Sequence, residues 1–366
     1  MCLEREEMDL REDGLKRYLE SIFDGTITDI QIQKLGEGCV GTGFALNFKV
    51  NGKTQKKILK TLFTSNLGMD HFSDRAGSLL LAHSHYSKIP NHIASSDVCG
   101  VTKEGEVISV GEAHEFFILM EEAQGKDLFT DFQRIAKTNV LTNEDRKRIL
   151  QLSDFLVQLH QDKPTENQES LYKRCLRNVI GGNTSIMSII DMYPKDVKWI
   201  SKEEINQLLQ ASIHFWSTHR FTEKRLCHTH GDFHPGNIWF RDEKNFTLLD
   251  RSGQTYGEAA DDLTAFSINF IFYSLKERGE FSGAAKEGFD LFWNNYLSKT
   301  NDTELVNLAP PFFALRAMVV ANPIFYSDDF FGSTENAHKI RRSLFNFALQ
   351  MVQDGKCKLD QIETYF

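Results

Sequence analysis

The chain lacks any apolar run approaching the 18–20 residues that a membrane-spanning helix needs, so no such helix is expected. Its opening residues, MCLEREEMDLRED, are charged and lack the apolar core of a signal peptide. The six cysteines (2, 39, 99, 175, 227 and 357) include no C-x-x-C pair, and scattered through 366 residues they read as reduced thiols. Together these absences point to a cytoplasmic location without a membrane partner. An excess of basic residues is missing too. The formal net charge of −9 argues against a general nucleic-acid binder and is compatible with a cationic small partner. No internal repeat or low-complexity segment stands out. What remains is an ordinary globular composition, 41% hydrophobic and 25% charged, in a length that suits two domains.

The densest polar chemistry lies in residues 228–253, HTHGDFHPGNIWFRDEKNFTLLDRSG. Asp232 follows His230 and Gly231, Asn237 comes five residues later, and Asp250 closes an apolar run. The D-x-x-x-x-N spacing brings both side chains to one face of a short loop. With a second Asp on the next strand, this is the order used in phosphoryl transfer by kinases. Asp232 would accept or orient the proton of an acceptor hydroxyl, and Asn237 and Asp250 would offer oxygen ligands that suit Mg²⁺. Residues 238–240 and 246–249 read as two short strands around a polar turn, presenting Asn237 and Asp250 at one end. His230 and His234 brace the loop by hydrogen bonds. A zinc site built from Cys227, His228, His230 and His234 is disfavoured, since one Cys followed by H-x-H-x-x-x-H lacks the spaced pairs of such sites.

A phosphoryl-transfer reading demands a nucleotide site upstream. No G-x-x-x-x-G-K-[ST] loop is present, and no helix follows the Gly-rich stretch as a dinucleotide fingerprint requires. Residues 3–23 predict an amphipathic helix through Leu15, Tyr18, Leu19 and Ile22. Residues 26–63 predict three strands, with Gly36, Gly38, Gly41 and Gly43 around the first turn and Asn51-Gly52 as a tight second turn. A Gly-rich turn lets backbone N–H groups approach phosphate oxygens closely. On the third strand Lys60 best fits the apolar-then-Lys pattern for pairing with the α/β-phosphates, Ile58 shares its face, and Lys57 competes. A helix at 70–85 carries Asp74 as the candidate partner of that Lys. Residues 98–110 predict a hairpin turning at Gly105. Residues 116–121, FFILME, predict an apolar strand that runs into a hinge at Glu121 and Glu122, whose backbone would bind adenine. The boundary is expected near residue 123, giving a 1–123 lobe and a 124–366 lobe. Beyond it the chain reads as mostly helical, with a buried helix at 143–161 (Ile149, Leu152, Leu156, Leu159). His160 reads as structural, residues 164–226 as an insert suited to contacting a substrate, and the Phe-rich helices of 259–366 as core.

HGDFHPGN, followed by LLDRSG and YGEAADDL, resembles the aminoglycoside phosphotransferase and choline kinase-like family. The resemblance runs loosely from about residue 35 to about residue 270. It implies an α+β, two-lobed, protein-kinase-like fold with a small antiparallel-sheet N-lobe and a larger, mostly helical C-lobe. The implied activity is ATP-dependent (or GTP-dependent) transfer of a γ-phosphoryl group, with Mg²⁺, to a hydroxyl of a small molecule such as an aminoglycoside, amino alcohol or sugar. By the same comparison Asp262 is the acid that braces the catalytic loop. The sequence departs from the family at Arg251-Ser252, where an apolar or aromatic residue is frequent; Arg251 could pair with Glu258. Gly231 leans to the aminoglycoside-type branch, since choline kinases more often carry Asn there. Glu258 and Asp261 are candidates for binding an amine-bearing acceptor. Two rival readings are a nucleotide-binding pseudokinase with a regulatory role and a protein kinase. The second is weakened by the lack of an A-P-E segment after Asp250.

Overall fold

The computed structural model describes residues 11–37, 41–64, 68–86, 88–251 and 255–366. The chain divides into two compact units, Met1–Met120 and Glu121–Phe366, and each described unit has its own apolar core. The architecture is α+β: a three-stranded antiparallel sheet dominates the first unit and helices dominate the second.

In the first unit, α1 (Glu12–Ile22) precedes β1 (Ile27–Glu37), β2 (Gly41–Val50) and β3 (Lys53–Leu62), in sheet order β1-β2-β3. The beginning of the helix expected at 3–23 lies outside the described residues. The β2–β3 hairpin turns at Asn51 and Gly52, both at positive φ (47° and 80°), with Val50 paired to Lys53. That is the two-residue turn whose twist matches the strands. Leu15 and Leu19 of α1 pack on Ile27, Leu46 and Phe48 of the sheet. The helix α2 (Phe72–Tyr86) follows, then the short pair β4 (Cys99–Val101) and β5 (Val107–Ser109), turning through Gly105 at φ 80°. The Tyr18 hydroxyl ties α1 to this pair through Asp97 (2.8 Å).

The apolar strand expected at 116–121 does not form. Residues 113–124 are irregular and join no ladder. An apolar run becomes a strand only when a neighbour accepts its backbone hydrogen bonds, and neither described sheet of this unit takes a further strand.

The second unit begins with β6 (Lys126–Asp127), α3 (Phe129–Thr138) and α4 (Asn143–Leu159). A capping box between Thr142 and Asp145 starts α4, which buries Ile149, Leu152 and Leu156. Next come α5 (Gln168–Gly181), α6 (Ile186–Asp191) and α7 (Lys202–His219). A region of short strands then follows: β7 (Cys227–His228), β8 (Ile238–Phe240), β9 (Phe246–Leu248) and β10 (Tyr256–Gly257). The pairs run β6-β8-β9 and β7-β10. The rest is helical: α8 (Ala259–Arg278), α9 (Gly283–Thr300), α10 (Leu305–Leu308), α11 (Pro310–Val320) and α12 (Thr334–Asp354). Nearly every residue of α8 is buried, so it is the central helix, apolar all round as such a position requires. Its own Phe266 and Phe270 join Phe289, Phe292, Phe313 and Phe347 in the core. Among the described residues no helix is long and apolar enough to cross a membrane.

Candidate active site

The site of the second unit is a loop held from below. Between β7 and β8 the backbone turns at Gly231, whose φ of 84° suits glycine. The N–H groups of His230 and Gly231 both donate to the Asp262 carboxylate, at 2.8 Å each. Asp262 lies in the first turn of α8 and is fully buried. Its Oδ2 also lies 3.2 Å from His160 Nε2, and the His160 Nδ1 lies 2.8 Å from the Tyr296 hydroxyl. A carboxylate only accepts, so His160 donates to Asp262 from Nε2. Burial pushes the Asp262 carboxyl up, but the His160 bond and the two amides outweigh it and hold its pKa below the ordinary value. The acid implied as a brace therefore fastens the main chain on the N-terminal side of Asp232.

On the other side, residues 235–237 form one 3₁₀ turn entered from His234. His234 Nδ1 accepts from the Gly236 N–H (3.0 Å), which leaves the ring proton on Nε2, 3.6 Å from Asp232 Oδ2. Burial against Phe129 lowers the His234 pKa, despite the opposing pull of Asp232. His230 Nδ1 accepts from the Asp232 N–H (3.3 Å). Both histidines thus support the loop through local hydrogen bonds. Cys227, His228, His230 and His234 each use separate partners: the Gly257 carbonyl, Asp162, the Asp232 N–H and the Gly236 N–H.

Asn237 is buried, and its Nδ2 donates to the Asp232 carbonyl (3.0 Å) and to Asp232 Oδ2 (3.3 Å). With the NH₂ turned to Asp232, the amide oxygen is left for another partner. Asn237 and Asp250 come together through the β8–β9 hairpin: Ile238 pairs with Leu248, and the Leu249 N–H donates to the Asn237 carbonyl (2.9 Å). Asp250 is exposed at positive φ (48°), a conformation Asp tolerates better than most residues. An amide oxygen and a carboxylate on one hairpin end fit Mg²⁺, which takes few protein oxygens and completes its shell with phosphate and water.

Two departures concern charge. Glu258 is not an open acid for binding an amine. It is fully buried, with both oxygens gripped by Arg225 (2.7–3.2 Å) and one by the Tyr172 hydroxyl (2.8 Å). Arg225 also holds Asp302 through two bonds (2.8 and 2.9 Å). Arg251 does not pair with Glu258 either; its guanidinium donates to the Thr229 and Thr255 carbonyls (2.8 and 2.9 Å).

The residue sequence reasoning missed is Arg316, in α11. One terminal nitrogen donates to Asp232 Oδ1 (2.8 Å); the other donates to the Gly231 carbonyl (3.2 Å) and to Asp261 Oδ1 (2.7 Å). Asp261 is thereby occupied as well. Burial raises its pKa to about 6, with Arg316 pulling against the rise and Asp262 and Asp232 adding to it. A signal was available: Arg316 is the only charged residue between Glu304 and Asp328. A lone Arg in an apolar helix has to find a buried partner.

In the first unit, Lys60 and Ile58 lie on the exposed face of β3. Lys57 is on the opposite face, where its ammonium bonds Ser96 Oγ (3.0 Å) and sits over the Phe23 ring. Gly36 pairs with Gly43 at the turn end of the β1–β2 pair. A Cβ on Gly41 would fall 2.1 Å from the Thr61 carbonyl oxygen, so the close approach of β2 and β3 requires glycine there. Gly38 lies outside the described residues. Asp74 accepts from the His71 N–H (2.9 Å), a local bond at the start of α2. Glu121 and Glu122 lie in irregular backbone and take no part in the network around Asp232.

Among solved structures the chain is similar, along most of its length, to small-molecule kinases. One is a spectinomycin phosphotransferase in complex with ADP and spectinomycin (12% identity, TM-score 0.35, covering 94% of this chain and 98% of that one). Another is an ethanolamine kinase of Plasmodium vivax (16%, TM-score 0.36, 86% and 82%). A third is an amicoumacin kinase in complex with AMP-PNP and Ca²⁺ (12%, TM-score 0.37, 97% and 98%). No family model matches the chain, and no curated protein matches it. At these identities and TM-scores no residue's role is carried over from the similar structures.

Proposed function

We propose that the chain is a small-molecule O-phosphotransferase that moves the γ-phosphoryl group of ATP, or of GTP, to a hydroxyl. The observation that carries this reading is the loop itself. Asp232 is fixed at both flanks by Asp262 and Asn237, and Asn237 and Asp250 stand at one end of a single hairpin. Asp232 takes the hydroxyl proton as the hydroxyl oxygen bonds to the γ-phosphorus. The bond from that phosphorus to the β–γ bridging oxygen breaks, and a nucleoside diphosphate leaves. Mg²⁺ held through Asn237 and Asp250 would neutralise charge on the phosphate oxygens. Lys60 is the proposed cation for the α/β-phosphates. The remaining residues position and exclude: His234 and His230 hold the loop, and Phe129 and Phe233 shut water out beneath it.

The test is nucleotide turnover with Mg²⁺ against a panel of aminoglycosides, amino alcohols and sugars. Acceptor-dependent release of ADP or GDP is expected. In Asp232→Ala it should drop by about 10²–10⁴-fold, the usual worth of a general base, while nucleotide still binds. A wild type that binds nucleotide and transfers to nothing, water included, would replace this reading with the regulatory, pseudokinase one.

A further inference from the structure

The contact between Arg316 and Asp232 has no place in the kinase pattern read from sequence, and it is costly. Burying a guanidinium in an otherwise apolar helix forfeits its hydration, and apolar packing would serve stability better. Its Nε is buried without a hydrogen-bond partner among the described residues. The two terminal nitrogens are used at three points of one site: the Asp232 carboxylate, the carbonyl of the residue before it, and Asp261 in the first turn of α8. This is a planar fork clamping a loop to a helix, a geometry that lysine cannot reproduce.

Asp232 has two carboxylate oxygens with different surroundings. Oδ1 is taken by Arg316. Among the described residues, Oδ2 has only the longer Asn237 contact (3.3 Å) and His234 Nε2 beyond hydrogen-bond range (3.6 Å). With Oδ1 pinned the carboxylate cannot rotate, and Oδ2 is the oxygen left to accept a proton. We infer that Arg316 is a positioning residue for phosphoryl transfer: it locks the Asp232 carboxylate so that Oδ2 is presented to the acceptor hydroxyl, and Asp261 anchors the clamp. This inference rests on the phosphotransferase reading above and adds a residue from α11 to it. Arg316 acts through Asp232, so its loss falls on the chemical step and leaves nucleotide affinity in place. A misplaced base costs orders of magnitude because the reactive geometry is narrow.

The experiment compares wild type, Arg316→Met, Arg316→Lys and Asp261→Asn in Mg-ATP turnover, using the best acceptor from the panel, or water if hydrolysis alone is found. Thermal melts confirm that each variant is folded. Arg316→Met is expected to lose about 10²-fold in kcat with KM for ATP changed less than about threefold. Arg316→Lys should recover part of the loss, since one ammonium reaches Asp232 but cannot span all three contacts. If Arg316→Met does not fold, Arg316→Lys carries the same kcat-against-KM comparison. Asp261→Asn should fall between wild type and Arg316→Met. A folded Arg316→Met with kcat within about threefold of wild type overturns the inference. So does a loss confined to acceptor KM, which would make Arg316 a binding group. A wild type with no turnover at all removes the phosphotransferase reading and this inference with it, an outcome distinct from an active wild type with an indifferent Arg316.

Discussion

In the helical unit, the groups around the Asp232 loop are held by other side chains: Asp232 by Arg316 and Asn237, His230 and Gly231 by Asp262, and Asp262 in turn by His160. In the sheet unit, Lys60 and Ile58 lie on the exposed face of a strand held by its ladder. The two units prepare their residues by different means. One fixes side chains through buried ionic bonds, which ties site geometry to stability. On the Lys60 face the other fixes the backbone and leaves the side chains exposed. Substitutions should therefore separate activity from stability in the sheet unit and fail to separate them under the loop.

The largest effect is expected from Asp262→Ala. It strips the His230 and Gly231 N–H groups and His160 of their acceptor, at a cost of about 3–5 kcal/mol for breaking a buried pair. Denaturant melts and turnover should fall together; a variant with wild-type stability breaks the comparison. Next comes Lys60→Met, expected to lower turnover about 10²-fold as a lost electrostatic contact to the transferring phosphates. Its stability should stay within about 0.5 kcal/mol, as for an exposed site. Lys57→Met should do the reverse, sparing turnover and costing a little stability through Ser96 and Phe23. If Lys57→Met is the inactive one, the Lys assignment moves. The smallest effect sharpens the comparison from outside the site. Glu204 joins α7 to α12 through Arg342 and caps Ser201. The Arg342 bond and the Ser201 N–H hold its pKa down, from an ordinary 4.5 to about 2. A depressed carboxylate contributes stability above the unfolded-state value, and that contribution is lost as pH falls through the folded-state value. Glu204→Gln should therefore cost about 1 kcal/mol at pH 7, with the difference from wild type shrinking between pH 4.5 and 2 and turnover unaffected.

What was legible in the sequence was local. The β8–β9 hairpin, the Asn51-Gly52 turn and the apolar face of α4 are patterns completed within one element or one turn, and the structure has each of them. The D-x-x-x-x-N string was readable for the same reason, since five residues of loop decide where both side chains point. The misses all depend on partners far along the chain. FFILME is apolar enough for a strand but has no neighbour to pair with. Glu258 looked like an open acid because Arg225 and Tyr172, which occupy it, lie 33 and 86 residues away. Arg316 is 84 residues from Asp232, and only the packing of α11 on α8 brings them together.

That separation has a consequence for how the protein comes into being. The loop, its hairpin and Asp262 are all synthesised before α11, so a nascent or truncated chain ending near residue 305 would contain every motif residue and lack the clamp on Asp232. Contacts this distant in sequence close late, because the intervening chain must be ordered first. On the reading proposed above, the loop is thus spelled out before the arginine that would aim it, which arrives only with the C-terminal helices.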